Sequence, residues 1–113
     1  MALSKPNRLK MEKDFQEIFK KGRGFRESFL FLKVLKNETG ISRFGFIVTK
    51  KASKKSVARN KIKRKISEAV RETMPKLKRG WDGILIVSQP LTEKNIGEIE
   101  KGVARLFKKA KLI

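Results

Sequence analysis

Nine basic side chains fall within residues 50–65 with no acidic residue among them: Lys50, Lys51, Lys54, Lys55, Arg59, Lys61, Lys63, Arg64 and Lys65. So dense a block of like charge repels itself unless a polyanion neutralises it, and the chemistry it offers is charge-assisted hydrogen bonding to phosphates. Ala58, Ile62, Ile66, Ala69 and Val70 form one apolar stripe at helical spacing, while Asn60, Lys63, Arg64, Ser67 and Arg71 gather on the opposite side. A helix here is apolar beneath and cationic above. The plainer alternative is a solvated lysine-rich face, but such faces ordinarily mix signs at i, i+4 spacing, and Glu68 and Glu72 arrive only in the last turns.

Other chemistries lack their residues. The chain has no His and no Cys, so the usual soft-metal ligands and disulfides are missing. Its acids are scattered, with no cluster that suggests a magnesium cage, and a protein nuclease needs a general base or carboxylate-held metal. No catalytic residue and no metal ligand is therefore expected in this chain, and catalysis by the protein alone is not expected.

Thirty Lys and Arg against eleven Asp and Glu give a formal charge of +19, which calls for a negatively charged partner. No apolar run reaches the roughly 18 residues of a spanning helix and no lipidation motif appears, so nucleic acid is favoured over a membrane. The Met-Ala-Leu-Ser-Lys start has no apolar core of a secretory signal, which leaves the cytoplasm as the expected compartment. With 113 residues, 39% of them hydrophobic, the chain suits one domain over residues 1–113 with a single core.

The elements that must position the basic block read as a mixed α/β unit. Met11, Phe15, Ile18 and Phe19 followed by Gly22 predict a helix over about 11–21. Aromatic and β-branched residues over 25–34 and 43–49, with Asn37-Glu38-Thr39-Gly40 between, predict two strands in antiparallel pairing. In the first, Phe29, Phe31 and Lys33 share one face and Leu30, Leu32 and Val34 the other. The basic helix spans about 56–73 before Pro75, and Ile84-Leu85-Ile86-Val87 is a central strand buried on both faces. Thr92 caps a last helix with Ile96, Ile99, Val103, Leu106 and Phe107 on one side, weakened by Gly97 and Gly102.

The stretch Lys50-Lys51 … Ala58-Arg59-Asn60-Lys61-Ile62-Lys63-Arg64-Lys65-Ile66 resembles the Arg-Asn-Arg motif of the bacterial ribonuclease P protein component, with Lys61 in place of the second Arg. That lysine keeps the charge and loses the planar two-pronged donor. The resemblance extends over Arg8-Leu9-Lys10, Asp14-Phe15 … Phe19-Lys20-Lys21-Gly22 and Phe44-Gly45-Phe46-Ile47-Val48-Thr49, nearly the whole chain. It implies an α+β fold: a single-domain α/β sandwich with a four-stranded mixed sheet, about three helices and a left-handed βαβ crossover, of the kind found in the second domain of ribosomal protein S5.

The resemblance further implies a subunit of the ribonucleoprotein that removes the 5′ leader from precursor tRNA, in which the RNA subunit performs the Mg2+-dependent hydrolysis and the protein holds no cofactor of its own. Its implied partners are ribonuclease P RNA, at one protein per RNA, and precursor tRNA, with neither DNA nor membrane. Carried over by position, Lys54, Lys55, Arg59, Asn60, Lys61, Lys63 and Arg64 contact the catalytic RNA, and Arg8 and Lys10 add basic contacts. Phe15, Phe19, Phe31, Lys50 and Lys51 line a leader cleft between the first helix and the sheet, with Phe29 an alternative to Phe31 for its wall. From spacing alone, Phe15 and Phe19 also fit ordinary core packing.

A ribosomal protein or a general RNA chaperone would share the charge and an α/β fold without such a cleft. A helix-turn-helix DNA binder is disfavoured, because strand-like runs flank the basic helix on both sides.

Overall fold

Residues 23–36 do not form one strand. In the computed structural model, which describes residues 3–113, they fold into a hairpin of β1 (Arg23–Glu27) and β2 (Leu30–Lys36), antiparallel, with Glu27 opposite Leu30. Met1 and Ala2, from the amino-terminal stretch read above, lie outside the described residues. Ser28 turns the chain in the left-handed region at φ 55°, and Phe29 anchors the turn by burying its ring in the core. No Gly or Asn marks this turn, so the single strand expected over 25–34 is corrected to a two-residue hairpin. Phe29 consequently does not share a face with Phe31.

A second correction concerns pairing. The sheet runs β1-β2-β4-β3, so β4 (Trp81–Val87) separates β2 from β3 (Arg43–Val48), and the direct antiparallel pairing expected between the two early strand runs is not made. β2 is antiparallel to β4, and β3 is parallel to β4 with Arg43 opposite Asp82 and Val48 opposite Val87. Parallel neighbours need a crossover, which is the work of α2 (Ser56–Thr73). Residues 37–42 carry the chain past the start of β4 instead of closing a hairpin. Asn37 N–H donates to the Gly80 carbonyl at 2.7 Å and the Ser42 hydroxyl to that of Lys78 at 2.8 Å. The four-stranded mixed sheet implied by the resemblance is present, with the 84–87 run at its centre.

Strand alternation gives the sheet two apolar faces. Leu30, Leu32, Val34, Phe44, Phe46, Val48, Leu85 and Val87 pack under α2 and α4 (Ile99–Lys109), where Ile62, Ile66, Val70, Val103, Leu106 and Phe107 close the main core. Phe44 and Phe107 meet across it with ring centroids 5.5 Å apart. On the opposite face Leu9, Ile18 and Ile84 form a smaller core at α1 (Glu12–Lys21), with Phe15, Leu35, Ile47 and Ile86 partly buried around it.

Two local rules decide the helix ends. Glu12 and Asp14 in the first turn of α1 and Lys20 and Lys21 in its last turn oppose the helix dipole with the favourable sign. Thr92 does cap a helix, through a reciprocal box with Asn95, but that helix, α3 (Glu93–Gly97), stops at Glu98 before α4 begins. Gly102 earns its position in α4: a Cβ there would stand 2.8 Å from Leu30 Cδ1, so the glycine lets α4 approach β2.

Candidate nucleic-acid interface

The cationic surface is built on α2. Its inner stripe of Ile62, Ile66, Ala69 and Val70 is buried on the sheet, which fixes the helix's rotation and turns Asn60, Lys61, Arg64 and Lys65 to solvent. Arg59 and Lys63 are half-buried at the flanks. Ser67 departs from the outer row expected for it: it is fully buried, its hydroxyl donating to the Arg64 carbonyl at 2.9 Å. Ahead of α2, residues 49–55 form a loop on which Lys50, Lys51, Lys54 and Lys55 are all exposed. Arg59 reaches back to this loop, Nη1 donating to the Ser53 and Lys54 carbonyls at 2.9 Å each.

The other basic residues singled out in the sequence divide. Lys10 is exposed, while the Arg8 guanidinium is partly committed within the protein, Nε donating to the Leu3 carbonyl at 2.8 Å. Arg8 also bridges its backbone to Phe44 beside β3.

The second surface is the sheet face that α1 covers only in part. Phe15 lies over Gly45, where a Cβ would collide with its ring, and Ile18 packs with Ile84. The first turn of α1 is tied down by Asp14, 3.6 Å from Arg43, which in turn grips buried Asp82 through bonds of 2.9 and 2.6 Å. Hydrogen bonding to Asp82 holds the Arg43 guanidinium still more firmly in its charged form. At the far end of the helix the Lys33 ammonium donates to the Phe19 carbonyl, placing a cation at the helix C-terminus.

Beside α1 a single cross-strand row remains accessible. Arg26 pairs with Phe31, Phe31 with Ile86 and Ile86 with Ile47, so one line of side chains crosses all four strands. Its three apolar members are half-buried, and the Arg26 guanidinium sits 5.6 Å from the centre of the Phe31 ring. Gly24 makes room for that ring, since a Cβ there would stand 2.7 Å from Phe31 Cζ. Phe19, 41% exposed, projects from α1 at the end held by Lys33. Where the row ends at Ile47, the chain runs directly into the lysine-bearing loop.

The residues named for a cleft are therefore not equivalent. Phe31 is on the accessible row and Phe29 is in the main core; Phe19 is open to solvent, whereas Phe15 is half-buried as the wedge between α1 and β3. Arg26, Ile47 and Ile86 join the surface without having been singled out from sequence. The unbroken apolar run at 84–87 predicts burial on both faces and gives no sign that Ile86 is half-buried, and the turn at Ser28 hides the register of Arg26. Among the described residues no group of three or more His, Cys, Asp or Glu side chains is placed to hold a metal ion, and no helix is long and apolar enough to cross a membrane.

A basic helix crossing between parallel strands on one face of a mixed sheet, with an accessible aromatic and aliphatic row leading to its loop, defines a small α/β protein with a cationic surface suited to a polyanion. Residues 3–111 match the family model described as Ribonuclease P, and the chain belongs to that family. Among its relatives, the ribonuclease P protein component of Microcystis aeruginosa is 37% identical over 100% of this chain and 98% of its own length. That of Clostridium botulinum is also 37% identical, over 94% of this chain and 96% of its own. The solved structure of the Staphylococcus aureus RNase P protein superposes with a TM-score of 0.84 at 32% identity, covering 94% of this chain and 96% of that one. For the Thermotoga maritima RNase P protein the TM-score is 0.75 at 27% identity, over 90% and 96%.

Proposed function

We propose that this chain is the protein subunit of the ribonuclease P ribonucleoprotein, joining one catalytic RNA and gripping the single-stranded 5′ leader of precursor tRNA in the cytoplasm. The observation that carries the reading is the continuity of the two surfaces: the row Arg26, Phe31, Ile86 and Ile47 leads into the loop bearing Lys50 and Lys51, and that loop into α2. Bases stack on flat or apolar side chains while lysines follow the backbone, and stacking is worth roughly 1–3 kcal/mol per base. Lys54, Lys55, Arg59, Asn60, Lys61, Lys63 and Arg64 then face the catalytic RNA.

In this reading Mg2+ belongs to the RNA subunit, which carries out hydrolysis, and the protein supplies binding energy. A +19 chain offsets phosphate repulsion, so the RNA holds its fold and its metal at lower ionic strength. The test is reconstitution with ribonuclease P RNA and a precursor tRNA at low Mg2+. The protein alone leaves the precursor intact, and adding it to the RNA restores leader removal. Cleavage by the RNA-free protein that a carboxylate substitution abolishes would overturn the reading; association with ribosomes and no effect on leader removal would favour a ribosomal protein or RNA chaperone.

A further inference from the structure

We infer that Arg59 is a positioning residue, which clamps the loop at residues 49–55 so that Lys50, Lys51, Lys54 and Lys55 meet RNA as one preorganised cationic edge. The inference rests on the RNA-binding reading proposed above and assigns a division of labour within it.

Four exposed lysines on seven residues, with no acidic partner on the loop, push one another apart. What opposes that spreading is limited. Ala52 is buried and its N–H donates to the Thr49 carbonyl at 3.0 Å, pinning the middle of the loop. The last part, Ser53 to Lys55, is held only by long bonds, Ser53 N–H to the Thr49 carbonyl at 3.5 Å and Lys55 N–H to the Ser53 hydroxyl at 3.4 Å, and α2 has no side-chain cap: Lys55 occupies the cap position and the first turn holds no acid. Arg59 fills this gap from the next turn of the helix. One nitrogen, Nη1, donates to the carbonyls of Ser53 and Lys54, two acceptors that no helix bond satisfies. Among the described residues Nε and Nη2 have no protein partner, so the same guanidinium can still face a phosphate.

Arg64 provides the internal contrast. It lies further along the same helix, exposed, and no side-chain bond ties it to the loop. A lysine at either position keeps the charge, but at position 59 its one ammonium cannot hold the loop carbonyls and face a phosphate from separate nitrogens as the guanidinium does. The two sites therefore separate charge from clamping.

The experiment measures the salt dependence of binding to ribonuclease P RNA for the full chain and for R59A, R59K, R64A and R64K, with amide hydrogen exchange and melting temperature on the RNA-free proteins. R64A is expected to lower the log–log slope by about one contact, roughly 0.7–0.9, and R64K to restore it. R59K, although it keeps its charge, is expected to lower the slope by more than that one-contact value, because the loop lysines lose their register. Exchange at the amides of Ala52, Ser53 and Lys55, the N–H groups bonded within the loop, rises in R59A and R59K alike, with the melting temperature nearly unchanged. Wild-type slope and loop protection in R59K would overturn the positioning role, as would faster exchange throughout the chain accompanied by a lower melting temperature. A wild-type protein without salt-dependent affinity for this RNA would overturn the RNA-binding reading itself, and the positioning role with it.

Discussion

The ring of Phe15 in α1 fills the space above Gly45 of β3 in which a side chain would otherwise stand. This contact sets how closely the helix approaches the sheet, and with it the shape of the surface left open beside Phe31, Ile86 and Ile47. The neighbouring ties are polar: Asp14 to Arg43 at the start of the helix and Lys33 to the Phe19 carbonyl near its end. Between them, Phe15 and Ile18 supply the apolar contact that those bonds orient.

Replacing Gly45 with Ala inserts a methyl group into a filled site, and overpacking of this kind costs about 1–3 kcal/mol. Because α1 must lift, leader affinity should fall along with stability. Denaturant unfolding of G45A, followed by precursor binding on the assembled ribonucleoprotein, checks both. Unchanged stability would mean that α1 is not seated by this contact.

A pH dependence follows from the far edge of the sheet. Glu27 at the end of β1 meets Lys109 at 2.8 Å and Arg105 at 3.5 Å on α4, and hydrogen bonding to Lys109 is the main cause holding its carboxyl below the ordinary glutamate value. A carboxylate with a lowered folded pKa contributes stability that is present above its unfolded pKa and is lost as pH falls through the folded value. The stability difference between wild type and Glu27→Gln should therefore be present at neutral pH and vanish in acid. A difference that stays constant across the acid range would contradict this account of the ion pair.

Much of this arrangement is legible in the sequence. The periodicity of Ile62, Ile66 and Val70 located α2 and its rotation, and the unbroken apolar run at 84–87 located the central strand, because each pattern records which side is buried. What the chain concealed was long-range or unmarked. The turn at Ser28 and Phe29 carries no Gly, Asn or Asp, the residues that mark two-residue hairpins, so the sequence hides the hairpin and groups Phe29 with Phe31. The insertion of β4 between β2 and β3 depends on a crossover that local patterning does not encode. Helical spacing places Ser67 opposite the Ile62 stripe, yet the side chain is buried, which its hydroxyl tolerates because it donates to the Arg64 carbonyl. For the cleft, one-turn spacing brought Phe15 and Phe19 together but could not say that one is a wedge and the other open to solvent.

That difference supplies the most direct measurement: the affinity of the assembled ribonucleoprotein for precursor tRNA and for the same tRNA without its leader, with wild-type protein, with F15L, and with F19L and F31L combined. Leucine keeps much of the apolar volume and removes the flat ring. Wild type should prefer the precursor, and the F19L/F31L double variant should lose about 1–3 kcal/mol of precursor affinity for each base contact removed, with leaderless binding unchanged. F15L should lower the melting temperature, with a smaller loss of precursor affinity than in the double variant, because it unseats α1 without removing a ring open to solvent. Equal affinity of the wild-type assembly for the two RNAs, or equal weakening of both in the double variant, would contradict the account.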